Sequence, residues 1–340
     1  MEHVDVVPTP AEFAWTFGGA SPLRTLRPGT LLTAWSEDAF SGQLRGTADV
    51  TSAQTFPGLN PQTGPFFVEG AEPGDTLVLH LVDLRPARSH GVSSLVPFFG
   101  GLTSTDRTAT LQPALPERTW VYEVDTAAGT VGFVAGGEVA GGGDWSVALP
   151  LEPMLGTVGV APAAGEVRTS LVPDVFGGNL DTPEMRVGTT VYLRVNVPGA
   201  LFSLGDGHYR QGEGESCGTA VEGAMHSTLL VDLVKGSASG GGPAWPRLED
   251  DEFLMVVGSG RPLEDAWRAG QVDAVAWIAD LTGLDTLDAY QLLSQISRVP
   301  LANVVDANYS CVTKIPKRFL RGAPAYGGVH ADLRARARGL

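Results

Sequence analysis

Glycine and proline punctuate this chain more than anything else does, with 44 glycines and 24 prolines in 340 residues. Through residue 235 they separate short β-like runs: TLLTAWSEDAF (30–40), FFVEGAEPGDTLVLHLVDL (66–84), TWVYEV (119–124), GTVGFVA (129–135) and DWSVALPL (144–151). Helical periodicity is absent there, and dense turn signals favour a sandwich or barrel-like assembly. The glycine-rich stretches 136–143 and 236–242 read as mobile connections. From residue 262 the period changes. Leu263, Trp267, Ala274, Ile278 and Leu281 recur at helical spacing, Gly270 is a place for the helix to bend or break, and Gly283 ends it. Thr286 opens a second helix as its N-cap, with Asp288 in the first turn, and Trp267, Trp277, Tyr290 and Leu292 are expected to be helix-packing core. Residues 302–316 return to strand character. The expected fold is β-rich α+β, a sandwich or distorted barrel with a small C-terminal helical segment. Its expected division is a β-rich part over 1–235 carrying the site and a helical segment plus closing strand over 236–340, or one continuous domain.

A net charge of −15 argues against nucleic acid and against anionic membrane surfaces, both of which would repel it. No apolar run approaches the ~20 residues of a membrane span, and the N-terminus has no signal-peptide pattern. Cys217 and Cys311 do not make a disulfide framework, so a cytoplasmic protein with reduced thiols is expected. Lysine is confined to positions 235, 314 and 317, leaving few to protect strand edges. With the sticky stretch LVPFFGGL (95–102), this suggests a homo-oligomer, a dimer by default; the same stretch could instead be an interior strand or line a pocket.

Residues 205–222, GDGHYRQGEGESCGTAVE, concentrate polar chemistry between glycines that permit tight folding and close backbone approach. Asp206 and His208, two apart on an extended segment, can face one site as ligands of a divalent ion, or Asp206 can simply cap a turn and bond His208. Glu213 and Glu215, also two apart, suit a proton shuttle because close carboxylates raise one another's pKa; a solvated acidic loop is the alternative. Cys217 is the alternative nucleophile, which would need a lysine to polarise the carbonyl; Lys314 is the one that could approach in space. Glu222 enters an apolar strand whose alternation suggests an edge or solvent-facing side chain, with a role in the site as the second reading.

The same segment carries a resemblance. GDGH..QG.GE.CGTA.E (205–222), GGNLD (177–181), PMLGTVGVAP (153–162), GPFFVEGAEPGDTLVLHLVDL (64–84) and VVDANYSCVTKIPKRFL (304–320) resemble, in order, blocks of the acetamidase/formamidase family. The resemblance implies hydrolysis of a short aliphatic amide to ammonia and the acid. It also points to Asp181 as a third metal ligand beside Asp206 and His208, and to Asn179 as a residue that orients the amide or stabilises the oxyanion. Zinc is the expected ion, with calcium or magnesium as alternatives. The resemblance leads one to expect a histidine near the N-terminus, where 10–29 has none and Phe13 stands near its place; this bears either on one metal ligand or, through an apolar wall, on a preference for a bulkier amide. A non-catalytic small-ligand binding protein on the same scaffold is the other class considered.

Overall fold

In the computed structural model, residues 1–55, 57–102, 114–140, 142–236 and 241–340 are described. The stretch 236–242 therefore lies largely outside the described residues. Two large sheets dominate, and neither closes into a barrel. The nine-stranded sheet runs His3–Val6, Thr30–Ser36, Met225–Val234, Thr76–Pro86, Thr190–Arg194, Arg247–Glu249, Phe253–Gly260, Tyr309–Pro316 and Leu301–Asn303. It includes strands from both sides of residue 235, so residues 236–340 share a sheet with what precedes them. The second sheet has ten strands, and the long strand Phe202–Arg210 sits inside it, paired with Met154–Gly159, Val221–Glu222 and Gln62–Val68. Apolar side chains of the two sheets, such as Leu79, Leu229 and Val257 from one and Phe66, Val158 and Leu204 from the other, share one core. The sandwich expectation rests on that shared core.

Helices α1 (Leu263–Thr282), α2 (Thr286–Ile296) and α3 (Val329–Ala337) complete the chain. Gly270 does not break α1, which runs continuously through it. It lets the helix lie on the sheet: a Cβ there would come within 2.9 Å of Thr313 Oγ1, and one on the facing Gly258 within 2.5 Å of the Gly270 amide nitrogen. Gly283 does end α1, in the left-handed conformation. The N-cap of α2 is Asp285 rather than Thr286; its carboxylate accepts from the Leu287 and Asp288 amides. Trp277 is core, whereas Trp267 and Tyr290 are 43% and 56% exposed and so are not the packing residues the helical stripe suggested.

Candidate active site

Strand Phe202–Arg210 carries the site, and its central residue breaks strand geometry. Asp206 has φ of +59°, a left-handed value that side chains other than glycine rarely adopt. Asp181 and Glu215 share the strain, both with φ of +45°. Left-handed backbone costs of order 1–3 kcal/mol per residue and persists where surrounding structure enforces it. The flanking Gly205 and Gly207 serve close approach instead: a Cβ on Gly207 would sit 2.6 Å from the Gly223 carbonyl oxygen. Gly156 on the neighbouring strand does the same for the carboxylates. A Cβ there would overlap Asp206 Oδ2 and lie 2.7 Å from Asp181 Oδ1.

These elements bring Asp181, Asp206 and His208 together, each with a ligand atom within 4.8 Å of the others. His208, Glu215 and Glu222 form a second such group through the shared imidazole. Glu222 is 2% exposed, not solvent-facing as alternation suggested. It lies on a two-residue strand within the sheet, where both residues are buried, so alternation has no meaning there. Its Oε1 accepts from the Ala220 amide, and its Oε2 lies 3.2 Å from His208 Nε2. Asp206 Oδ1 lies 3.4 Å from the same nitrogen.

The orientation of His208 follows from Gln211. The Gln211 amide nitrogen donates to two carbonyl oxygens, Asp181 O at 2.6 Å and Ala302 O at 3.0 Å. That fixes the side-chain oxygen toward His208 Nδ1, 2.9 Å away, where it can only accept. Nδ1 therefore carries the proton, and Nε2 is the atom presented to Asp206 and Glu222.

Electrostatics asks for a cation at that point. Asp181, Asp206, Glu215, Glu222 and Asp306 are all buried around His208. Among the described residues their side-chain hydrogen bonds come from His208 and from neutral donors (Asn179, Asn303, Thr157 and the Ala220 amide), and from no lysine or arginine. Two buried oxygens, Asp181 Oδ1 and Glu222 Oε2, have no hydrogen-bond partner. Burial, then the neighbouring charges of Glu215, Asp306 and Asp206, push Asp181 well above the ordinary carboxylate range. Burial pushes Glu215 up similarly, with Glu222, Asp306 and Asp206 adding to it against His208. Asp306 is pushed up to about 7, chiefly by burial. Asp206 goes the other way: burial raises it, but His208 and the Thr157 hydroxyl more than offset that. Burial lowers His208, and Glu222 and Asp206 more than reverse it. The space at Nε2 thus favours positive charge, whether a proton or a metal ion. An imidazole nitrogen, surrounding carboxylates and two orphaned carboxylate oxygens suit a divalent ion.

The remaining expected residues fall as follows. Asn179 adjoins the cluster, but both amide hydrogens are committed, to Asp181 Oδ2 at 2.9 Å and Asp306 Oδ2 at 3.0 Å. Its oxygen accepts from Asn60 at 2.8 Å and also meets the Thr157 hydroxyl. It is therefore a residue that positions Asp181, with no hydrogen left for an oxyanion. Glu215 lines a cleft of about 210 Å³ together with Gln211, and its carboxylate has no hydrogen-bond partner among the described residues. Glu213 is exposed on the rim of that cleft and belongs to neither grouping. Cys217 is exposed, its thiol 3.2 Å from the Thr219 carbonyl oxygen. No lysine is free to help it: Lys235 pairs with Asp75, Lys314 with Glu184 at 2.9 Å, and Lys317 with Glu249 at 2.6 Å. Phe13 stands against Trp35, their ring centroids 6.2 Å apart. The stretch 95–102 covers the GESCG turn, with the Gly101 amide donating to Ser216 O and Phe99 packed on Gly218. Asp306, Asn303, Gln211, Asn60 and Thr157 were not singled out from the sequence. Gln211, Thr157 and Asp306 had a hint, each lying in a block of the family resemblance, whereas Asn60 and Asn303 had none.

A family model described as the acetamidase/formamidase family matches residues 147–320, which hold the ligand groupings and Asp306. The structure superposes on the crystal structure of an acetamidase from Yersinia enterocolitica with a TM-score of 0.81 and 38% identity, covering 91% of this chain and 90% of that one. An acetamidase from Bacillus halodurans matches with a TM-score of 0.81 and 26% identity, over 95% of this chain and 100% of that one. The acetamidase of Mycolicibacterium smegmatis is 27% identical over 263 residues, 62% of this chain and 63% of its own length. The chain spans less than two thirds of the curated relatives it matches in sequence. Ordered motifs and fold coincide over most of the molecule, and this chain belongs to the acetamidase/formamidase family, a family of amidases.

Proposed function

We propose that this amidase hydrolyses the C–N bond of a short aliphatic amide to ammonia and the carboxylate, with a divalent ion held by Asp181, Asp206, His208 and Glu222. The observation that carries the reading is the pair of orphaned buried oxygens, Asp181 Oδ1 and Glu222 Oε2, gathered about a His208 nitrogen whose tautomer Gln211 fixes. Zinc is the ion this imidazole-and-carboxylate set fits first, with calcium or magnesium next. When bound, such an ion polarises the amide carbonyl and acidifies water.

The chain's own residues do the rest. Gln211 and Asn179 hold His208 and Asp181 in place from behind. Glu215, unpaired at the cleft, takes the proton of the attacking water as oxygen bonds to the carbonyl carbon. It then delivers that proton to the nitrogen as the C–N bond breaks. Burial and then the surrounding carboxylates raise its pKa; a bound divalent charge would offset the carboxylates' part, leaving Glu215 free to cycle between the two states. Ammonia release from formamide and acetamide by the purified protein tests the reaction; release from neither would refute it.

Among the described residues no helix is long and apolar enough to cross a membrane. Free Cys217 and Cys311 support our placement of the protein in the reducing cytoplasm. The scarcity of lysine to guard strand edges, with all three lysines already paired, supports self-association. Sedimentation at micromolar concentration is expected to show a species larger than the 35.6 kDa monomer.

A further inference from the structure

The cleft at Glu215 has a mixed lining. Gln211 and Glu215 are among its polar residues, and Tyr122, Leu149 and Val221 give it an apolar wall. Its volume of about 210 Å³ is the room of roughly seven water molecules at ~30 Å³ each, far more than formamide or acetamide fills.

That wall continues beyond the cleft. Leu149 pairs with Val131 and Val147 with Phe133 across the antiparallel ladder, so strand alternation sets Trp145, Val147 and Leu149 on one face with Phe133. The Tyr122 and Phe133 rings are 5.9 Å apart, and those of Phe133 and Trp145 are 5.7 Å apart. At its inner end this face is ordinary core, through buried Val124 and Val131. At its outer end Val147 and Trp145 are 39% and 52% exposed, on an edge strand. Core packing explains the inner residues and leaves the outer ones without a reason. Continuity with the cleft that holds Glu215 supplies one.

We propose that Tyr122, Leu149 and Val221 form a subsite for the acyl arm of the substrate, and that the preferred substrates are primary amides whose acyl group carries an aryl or longer alkyl arm. The proposal rests on the amidase reading above. An apolar arm displaces water from the wall, each methylene in such a pocket being worth about 10–200-fold of discrimination. The aromatic row offers edge-to-face contacts to an aryl ring.

The test compares kcat/KM for phenylacetamide and acetamide on the full chain supplied with zinc. Wild type is expected to favour phenylacetamide by at least about tenfold. Tyr122→Ala and Leu149→Trp, one removing the wall and one filling the subsite, are each expected to cut that ratio about tenfold, mainly through KM. Should Tyr122→Ala fail to fold, Leu149→Trp decides, because that side chain is only half-buried. A wild-type ratio near one, or a ratio unmoved by the variants, overturns the subsite while acetamide turnover keeps the amidase reading. Turnover of no amide removes both.

Discussion

Gln211 and Gly156 touch no substrate in this mechanism, yet each is expected to control the site. Gln211→Leu removes the acceptor that holds the Nδ1 proton of His208, and outer-sphere partners of this kind are worth about 10–100-fold in metal affinity. Chelator competition for zinc reads that loss directly, and nitrogen-15 spectra of the histidine report the tautomer. Gly156→Ala drives a methyl into Asp206 and Asp181, so zinc affinity should fall while the melting temperature, set mainly by the distant core, falls less. Glu215→Gln should lower kcat by roughly 10²–10⁴. Cys217→Ala should leave turnover near wild type, because the thiol is exposed and all three lysines are paired elsewhere. Equal losses in the two variants would restore the cysteine as nucleophile. Asp206 and His208 were legible because they stand two apart in one glycine-flanked motif. Asn179 and Asp181 were legible only through a resemblance. Asp306 and Asn60 could not be read as site residues: their bonds to Asn179 span 127 and 119 positions, which folding closes and spacing cannot show.

At the scale of elements, the helices were read well in extent and less well in their ends and faces. Thr286 looked like a cap because threonine often is one, but Asp285, one residue earlier, has the extended backbone and the bonding oxygen. Asp285→Ala should cost about 1 kcal/mol in denaturant unfolding. Exposed Trp267 shows that a periodic stripe gives a face without showing how wide the contact is. Helix α3 docks through a buried chain no motif announced: His80 Nδ1 meets Thr190 Oγ1 at 2.8 Å, and Thr190 Oγ1 meets His330 Nδ1 at 2.8 Å. Burial, then the facing His330 and Arg334 against Asp251, push His80 down to about 4 from 6.5. The unfolded chain therefore binds this proton between pH 6.5 and 4 while the folded one does not. Stability from this group is full above pH 6.5 and is lost as pH falls toward 4, by about 3 kcal/mol at its full extent. Urea midpoints at pH 7 and pH 5 should differ more for wild type than for His80→Gln.

For the whole molecule, glycine and proline punctuation correctly indicated many short strands, but it could not say how they join. Residues 236–340 read either as a separate segment, because a glycine-rich stretch and two helices intervene, or as part of one continuous domain, and their strands complete the nine-stranded sheet. That closure carries Asp306 and Asn303 to Asn179 and Asp181. The site is thus assembled from both parts of the chain. Cutting the chain within 236–242 and expressing residues 1–235 alone is expected to give no amidase activity, since the partners of Asn179 and Asp181 are then missing. The buried negative charge so gathered is the physical reason for a cation, and it gives the most direct measurement. Ammonia release from acetamide is followed as metal-depleted protein is titrated with zinc. Activity should be absent in the depleted protein and return in proportion to the ion bound, and should not return in Asp206→Asn. Full activity in the metal-depleted protein would contradict the role of His208 and its carboxylates as ligands of a catalytic ion.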